Sequence, residues 1–206
     1  MLFITLVLFG PFGFAVYLVY NDYERTRLNI LKDLSRFAGN MTGRDFGIGV
    51  PIRQLLVALA HNENIVEHRG ERCSNDVRAL LTAEARYASI GAATPDGTIF
   101  CNTAEMPSPG PNVSDREWFQ ETIAKRDFNR GQYVVSRISG GRVLVFAYPA
   151  MEKGGIKAIV FAALDLDWIS RAIKPPLSQE YATAYFFHQD GTVLARSYDW
   201  DAAIGR

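Results

Sequence analysis

Three long β-prone runs, GQYVVSRIS (131–139), GRVLVFAYPA (141–150) and IKAIVFAALD (156–165), follow one another with only glycine-rich turns between them, at Gly140-Gly141 and Lys153-Gly154-Gly155. Turns that short join antiparallel neighbours, because a parallel pair needs a crossover of about a dozen residues. Upstream, YASIGAAT and TIFCNT flank a Pro-Asp-Gly turn in which Gly97 supplies the positive φ that a tight hairpin demands. Five strands of an antiparallel sheet are therefore expected, with one helix, SDREWFQETIAKRD, inserted between the second and third. The fold class is α+β. The register of AATPDGTIFCNT (92–103) recurs in FFHQDGTVLARS (186–197), which reads either as a duplication whose second lobe begins near residue 182 or as chance, Asp-Gly-Thr being a common turn. A lone hairpin is marginal in water. The chain accordingly reads as a fragment of something longer.

Residues 1–20, MLFITLVLFGPFGFAVYLVY, carry no charge and match the roughly 20 apolar residues that cross a ~30 Å hydrocarbon layer as a helix. With neither a basic n-region nor a small-x-small cleavage site, a transmembrane anchor is expected rather than a cleaved signal peptide. Arg25, Arg27 and Lys32 follow the span, and the positive-inside rule taken alone would leave residues 21 onward in the cytoplasm. Leu28, Leu31, Leu34, Ala38 and Met41 recur at three- and four-residue steps, the stripe of a long amphipathic helix continuing from the membrane. That stripe suits either pairing of two chains or packing on the lobe. Pro51 opens a second helical run with Gly70 as its stop, and Ser74 is placed to cap a third.

The chain has 206 residues, 48% of them hydrophobic, so a sizeable core is available. Lys+Arg and Asp+Glu are both 22, and no basic patch interleaved with aromatics points to nucleic acid. No G-x-S-x-G elbow, H-E-x-x-H pair or phosphate loop with lysine occurs, so no catalytic residue and no cofactor is assigned. His61, His68 and His188 are scattered, and Asp199 and Asp201 lack the further oxygen donors a metal would need. Cys73 and Cys101 are compatible with one disulfide or with two unrelated buried thiols.

In order along the chain, ATPDGTIFCNT, NVSDREWFQET, GRVLVFAYPA and VFAALDLDWIS, behind an anchor and a long helix, resemble the double-Cache extracytoplasmic sensor domain of bacterial transmembrane receptors. The likeness runs over about residues 21–206. It implies two PAS-like lobes stacked on a long helix: 1–20 the transmembrane helix, 21–70 juxtamembrane and stalk helices, 71–172 the membrane-distal lobe and 182–206 the opening of a proximal one. It also implies a Cys73–Cys101 disulfide, a homodimer, placement outside the bacterial inner membrane in the periplasm, and a small-molecule ligand in the distal lobe. Signal would pass to a histidine kinase, a diguanylate cyclase (GGDEF) or a chemoreceptor module, none of whose output chemistry lies in these residues. A tethered dimerisation platform that senses nothing is the alternative.

The stretch VSDREWFQET (113–122) concentrates the site candidates. Ser114 suits an N-cap, and Asp115 and Glu117 suit the positive end of a helix. Arg116 does not; its guanidinium is fit either to pair with a local Asp or Glu, with Trp118 and Phe119 packing the helix on the sheet, or to clamp a ligand carboxylate or phosphate beside Trp118. In the amino-acid-binding subset of the resembled sensors, an Arg-x-Trp-aromatic motif holds the ligand carboxylate and a strand-end Asp meets the ammonium. Arg116, Trp118 and Phe119 match the first part, Asp165 the second, and Tyr133 lies near a further tyrosine contact. The subset has tyrosine at Phe119 and again near Pro111, two hydroxyls this chain lacks. Tyr148 is a candidate if its strand turns it inward, and Asp167 is read as the cap of DWISRAI.

Overall fold

The computed structural model describes residue 17 and residues 49–81, 86–172, 185–187 and 191–196. The expected span over 1–20, apart from residue 17, and the leucine stripe at 28–41 lie outside the described residues, as do His188, Asp199 and Asp201. Among the described residues no helix is long and apolar enough to cross a membrane. The elements below all belong to one compact unit, residues 47–206.

Three helices lead in: α1 (Gly49–Ala60), α2 (Glu63–Val66) and α3 (Gly70–Leu81). Ile52, Leu56 and Leu59 recur along one face of α1 and are buried. The run expected to be one helix from Pro51 to Gly70 is broken at His61–Asn62, because the Asn62 side chain accepts from the Asn64 amide at 2.8 Å and starts a new helix. Gly70 opens α3 instead of stopping its predecessor, and it packs so closely on β2 that a Cβ there would lie 2.7 Å from the Phe100 carbonyl oxygen. Ser74 consequently sits inside α3, where its hydroxyl accepts from the Asn102 amide at 3.3 Å.

The sheet comprises β1 (Tyr87–Ala93), β2 (Ile99–Asn102), β3 (Asn129–Val135), β4 (Arg142–Glu152) and β5 (Gly155–Asp165), antiparallel in the order β2-β1-β5-β4-β3. One helix, α4 (Glu117–Lys125), is inserted between β2 and β3, as the sequence pattern requires. The β4–β5 turn places Lys153 and Gly154 at φ 49° and 81°, the paired positive values of a two-residue turn whose twist suits a hairpin. At the β1–β2 turn the Gly97 amide donates to the Thr94 carbonyl at 2.8 Å with φ 91°, and Asp96 accepts from the Thr94 and Thr98 hydroxyls.

Strand alternation divides the work of the two faces. On one face Val143, Val145 and Ala147 of β4 and Ile159, Phe161 and Ala163 of β5 form a core with Trp118 and Phe119 of α4. The intervening Leu144, Phe146, Val160, Ala162 and Leu164 are buried too, on the side where α1 lies along β4 and β5. Cys73 of α3 and Cys101 of β2 form a disulfide with Cα atoms 5.8 Å apart, within the span a bridge allows. The open choice left by cysteine spacing is thus resolved in favour of the bridge. After β5, α5 (Leu166–Ala172) follows without a break, and β6 (Tyr185–Phe187) pairs antiparallel with β7 (Val193–Arg196). Gly191, between these two strands, has φ 91°, the value of Gly97 in the first hairpin.

Candidate functional site

Trp118 is fixed from its own backbone outward. Its carbonyl accepts from the Thr122 hydroxyl at 2.6 Å and from the Asn129 amide nitrogen at 2.9 Å, and both donors are buried. These bonds tie α4 to the start of β3 and leave the indole over the sheet, with ring centroids 5.6 Å from Phe161 and 5.8 Å from Phe119. Phe119 is fully packed at 2% exposure and belongs to the core.

The hollow beside Trp118 is a narrow, solvent-open cleft, amounting to about 380 Å³ only when its open mouth is counted, and its inner walls are buried core side chains. Trp118, Phe161, Val143, Val145 and Ile138 give it apolar walls, and Ser89, Ser136, Arg116 and Arg137 supply its polar groups. Arg116 and Trp118, two members of the motif singled out in the sequence, therefore share one cavity.

Helix α4 begins two residues later than the sequence suggests. Arg116 itself is the N-cap, with extended backbone at φ −80° and ψ 132°, and its side chain makes no cap bond. Ser114 is held outside the helix by Asn112, whose side-chain oxygen accepts from its amide at 2.9 Å and its hydroxyl at 2.6 Å. The Asx turn outcompetes the expected Ser114 cap because Asn112 reaches both donors at once. The Arg116 guanidinium makes one long bond, 3.4 Å to the Val135 carbonyl, and no ion pair with a carboxylate among the described residues.

Arg137, in the turn between β3 and β4, is a lining residue that the sequence pattern leaves inside a strand. Its guanidinium grips Asp115 through two 2.7 Å bonds and also donates to the Asn112 carbonyl at 2.5 Å. These bonds from Arg137 hold the Asp115 carboxyl below the ordinary carboxylate range, with a smaller contribution from the charge of Arg116, and they raise the Arg137 pKa in turn. The link joins the β3–β4 turn to the approach of α4 across the mouth.

The other candidates are placed elsewhere. Tyr133 pairs with Leu144 and Tyr148 with Val160, so both stand on the sheet face opposite the hollow, the face of α1. Asp165 pairs with Val143, at the margin of the correct face, but its carboxylate accepts from the Asp167 amide at 2.8 Å and lies 3.8 Å from Arg171. Asp165, rather than Asp167, thus caps α5. Asp167 leaves one buried carboxylate oxygen without a partner among the described residues, and it does not line the hollow. Among the described residues no group of three or more His, Cys, Asp or Glu side chains is arranged to hold a metal.

This architecture, a five-stranded antiparallel sheet with a helix inserted after its second strand, is the fold of bacterial extracytoplasmic sensor domains, in agreement with the double-Cache resemblance. The histidine kinase DctB sensor domain of V. cholerae aligns with a TM-score of 0.64 and 14% identity, over 89% of this chain and 70% of that one. The ligand-binding domain of the Pseudomonas fluorescens chemoreceptor CtaA, solved with L-serine, aligns with a TM-score of 0.59 and 17% identity, over 86% and 74%. A domain of a sensory box/GGDEF family protein from Vibrio parahaemolyticus aligns with a TM-score of 0.62 and 14% identity, over 82% and 71%. At such identities the likeness establishes the fold. No family model matches the chain, and no curated protein matches it.

Proposed function

We propose that the chain is the ligand-sensing extracytoplasmic portion of a membrane-anchored signalling receptor. In this reading residues 1–20 span the bacterial inner membrane, 21–70 form the stalk, 71–172 are the distal, ligand-binding lobe in the periplasm, and 182–206 open a proximal lobe. Two chains pair, and the signal is passed to a histidine kinase, diguanylate cyclase or chemoreceptor module. The observation that carries the proposal is that a guanidinium, Arg116, which makes no ion pair within salt-bridge distance among the described residues, and an indole, Trp118, share one hollow between the sheet and its inserted helix. The binding of L-serine by CtaA, a protein of the same fold, supports a small-molecule role for such a domain.

Ligand binding acts here by population shift. A ligand favours whichever arrangement of the Arg116 cap and the β3–β4 turn it binds better, by its differential affinity for it. Strands β4 and β5 carry the hollow on one face and α1 on the other; in this reading α1 is the element that would take up a change in the sheet. The test is a thermal-shift screen of the full chain in detergent micelles against amino acids, carboxylates, amines and purines, with Arg116→Ala alongside. A hit lost in the variant is expected. A hit that survives the substitution refutes the clamp, and the failure of every compound leaves a non-sensing dimerisation platform as the better description.

A further inference from the structure

Resting on that ligand-sensing reading, we infer that the hollow is gated by a seam of side-chain bonds that unzips from its outer end, with Arg137 and Asp115 as the latch and Trp118 and Asn129 as the hinge. The cleft is narrow as it stands, and its inner walls are core side chains. Whatever enters must part the two segments that flank its mouth. One is the approach to α4, residues 112–117, and the other is the outer half of β3 with the turn after it, residues 132–138.

Each flank is tied by backbone bonds to its own neighbour. On the first, the Ile99 amide donates to the Pro111 carbonyl at 3.1 Å and the Val113 amide to the Gly97 carbonyl at 2.8 Å, so the approach is held to the β1–β2 hairpin. On the second, β3 from Gln132 to Val135 pairs with β4 from Val145 back to Arg142. What joins flank to flank is a row of side-chain bonds, ordered as an antiparallel seam. Asn129 donates to the Trp118 carbonyl, Gln132 to the Glu117 carboxylate, Arg116 to the Val135 carbonyl, and Arg137 to the Asp115 carboxylate and the Asn112 carbonyl.

The row is graded in burial. At its inner end Asn129 is 5% exposed, and Thr122, which donates to the same Trp118 carbonyl, is fully buried. Breaking that end strands polar groups in the core, at the full cost of their lost hydration. At the outer end the Arg137 and Asp115 side chains are 39% and 60% exposed, so water replaces each bond that is lost and the ion pair holds only weakly. Between the two ends the β3–β4 register shifts, at residues 129–132, and a bulge of this kind bends the strand that carries it. Parting therefore starts at the Arg137–Asp115 contact, runs inward past Val135 and Gln132, and stops at Asn129.

Thiol labelling reads this opening without any ligand. Val145→Cys puts a thiol into the wall of the hollow, and Val160→Cys puts one on the opposite face of the sheet, beneath α1. Both valines are buried, and the native cysteines are bonded to each other, so each variant offers one free thiol of similar size to the side chain it replaces. The full chain in detergent micelles is treated with methyl methanethiosulfonate and followed by mass spectrometry. Asp115→Asn and Arg137→Gln should each speed the labelling of Val145→Cys by roughly three- to fivefold, the worth of one exposed rung, and leave that of Val160→Cys within about twofold. Asn129→Ala, at the buried end, should speed both, because it loosens the packing of the whole lobe. Equal acceleration of the two thiols in Asp115→Asn makes the pair a support of the entire lobe and overturns the latch. No acceleration of Val145→Cys in either outer variant overturns the seam. Because no ligand takes part, either failure is distinct from a failure of the ligand-sensing reading, which the compound screen decides.

Discussion

Replacing both Cys73 and Cys101 by alanine should destabilise the lobe strongly while sparing the hollow. The bridge spans 28 positions of sequence, and closing a loop of that length contributes about 3.5 kcal/mol in the chain-entropy model. The contribution matters because β2 is a four-residue edge strand with β1 as its only sheet partner. The disulfide fastens that edge to α3. Both cysteines are fully buried, so their replacement also loses a little packing. Urea unfolding of the full chain in detergent, followed by tryptophan fluorescence, reads the effect. With an m-value of about 2 kcal/mol/M the midpoint should fall by roughly 1.5–2 M. The m-value itself should rise, since the uncrosslinked unfolded chain exposes more surface. Reducing the parent protein with a phosphine should reproduce both changes. Cys101 pairs with Ala92, on the face away from the hollow, so a ligand found for the hollow should keep its affinity within about twofold at temperatures where the variant is folded. A midpoint shift below about 0.5 M with an unchanged m-value would falsify the reasoning, as it would mean that α3 and β2 hold together without the bond.

Three further perturbations test the packing and electrostatics around the site. Gly91→Ala places a Cβ 2.4 Å from the Cys101 carbonyl oxygen and 2.9 Å from Phe161; about 1–3 kcal/mol should be lost, and a melting temperature equal to the parent's would show that β1 and β2 separate freely. Trp118→Ala removes a 3%-exposed indole from the core and one wall of the hollow, with an expected cost of about 3–5 kcal/mol in urea unfolding, whereas Trp118→Phe should recover most of it. Asp115 titrates below its ordinary value, so the link to Arg137 favours the folded state whenever the carboxyl is ionised. That contribution is complete above the unfolded-state value of about pH 4 and fades as pH falls through the depressed folded value. Carboxyl-carbon NMR should find Asp115 titrating below the ordinary aspartate range in the parent and returning to it in Arg137→Gln; an ordinary value in the parent would show that the two-pronged contact does not persist in solution.

How far the sequence reveals this site depends on the separation over which its contacts act. The strands, their turns and the inserted helix are legible because each rests on neighbours in the chain: Gly97 and Gly154 set their turns, and alternation sets each strand. The Arg116 and Trp118 pair is legible for the same reason, two residues apart at one helix start. Helix boundaries at Asn62 and Arg116 are less so, since Asn62 competes with a continuing helix and Asn112 with Ser114 for the same short-range donors. What no local pattern discloses is parity. Tyr133 and Tyr148 read as equal candidates until the register with Leu144 and Val160 turns them to the face of α1. Arg137 shows the same blindness from the other side: it reads as a strand residue before a Gly-Gly turn, and its importance comes from Asp115, 22 residues away, across a fold-level contact. Asp165 shows the same limit: its place at the end of β5 is legible, but the bond its Oδ1 accepts from the Asp167 amide in the first turn of α5 is not, because a strand-end residue reads alike whether or not a helix starts at the next position.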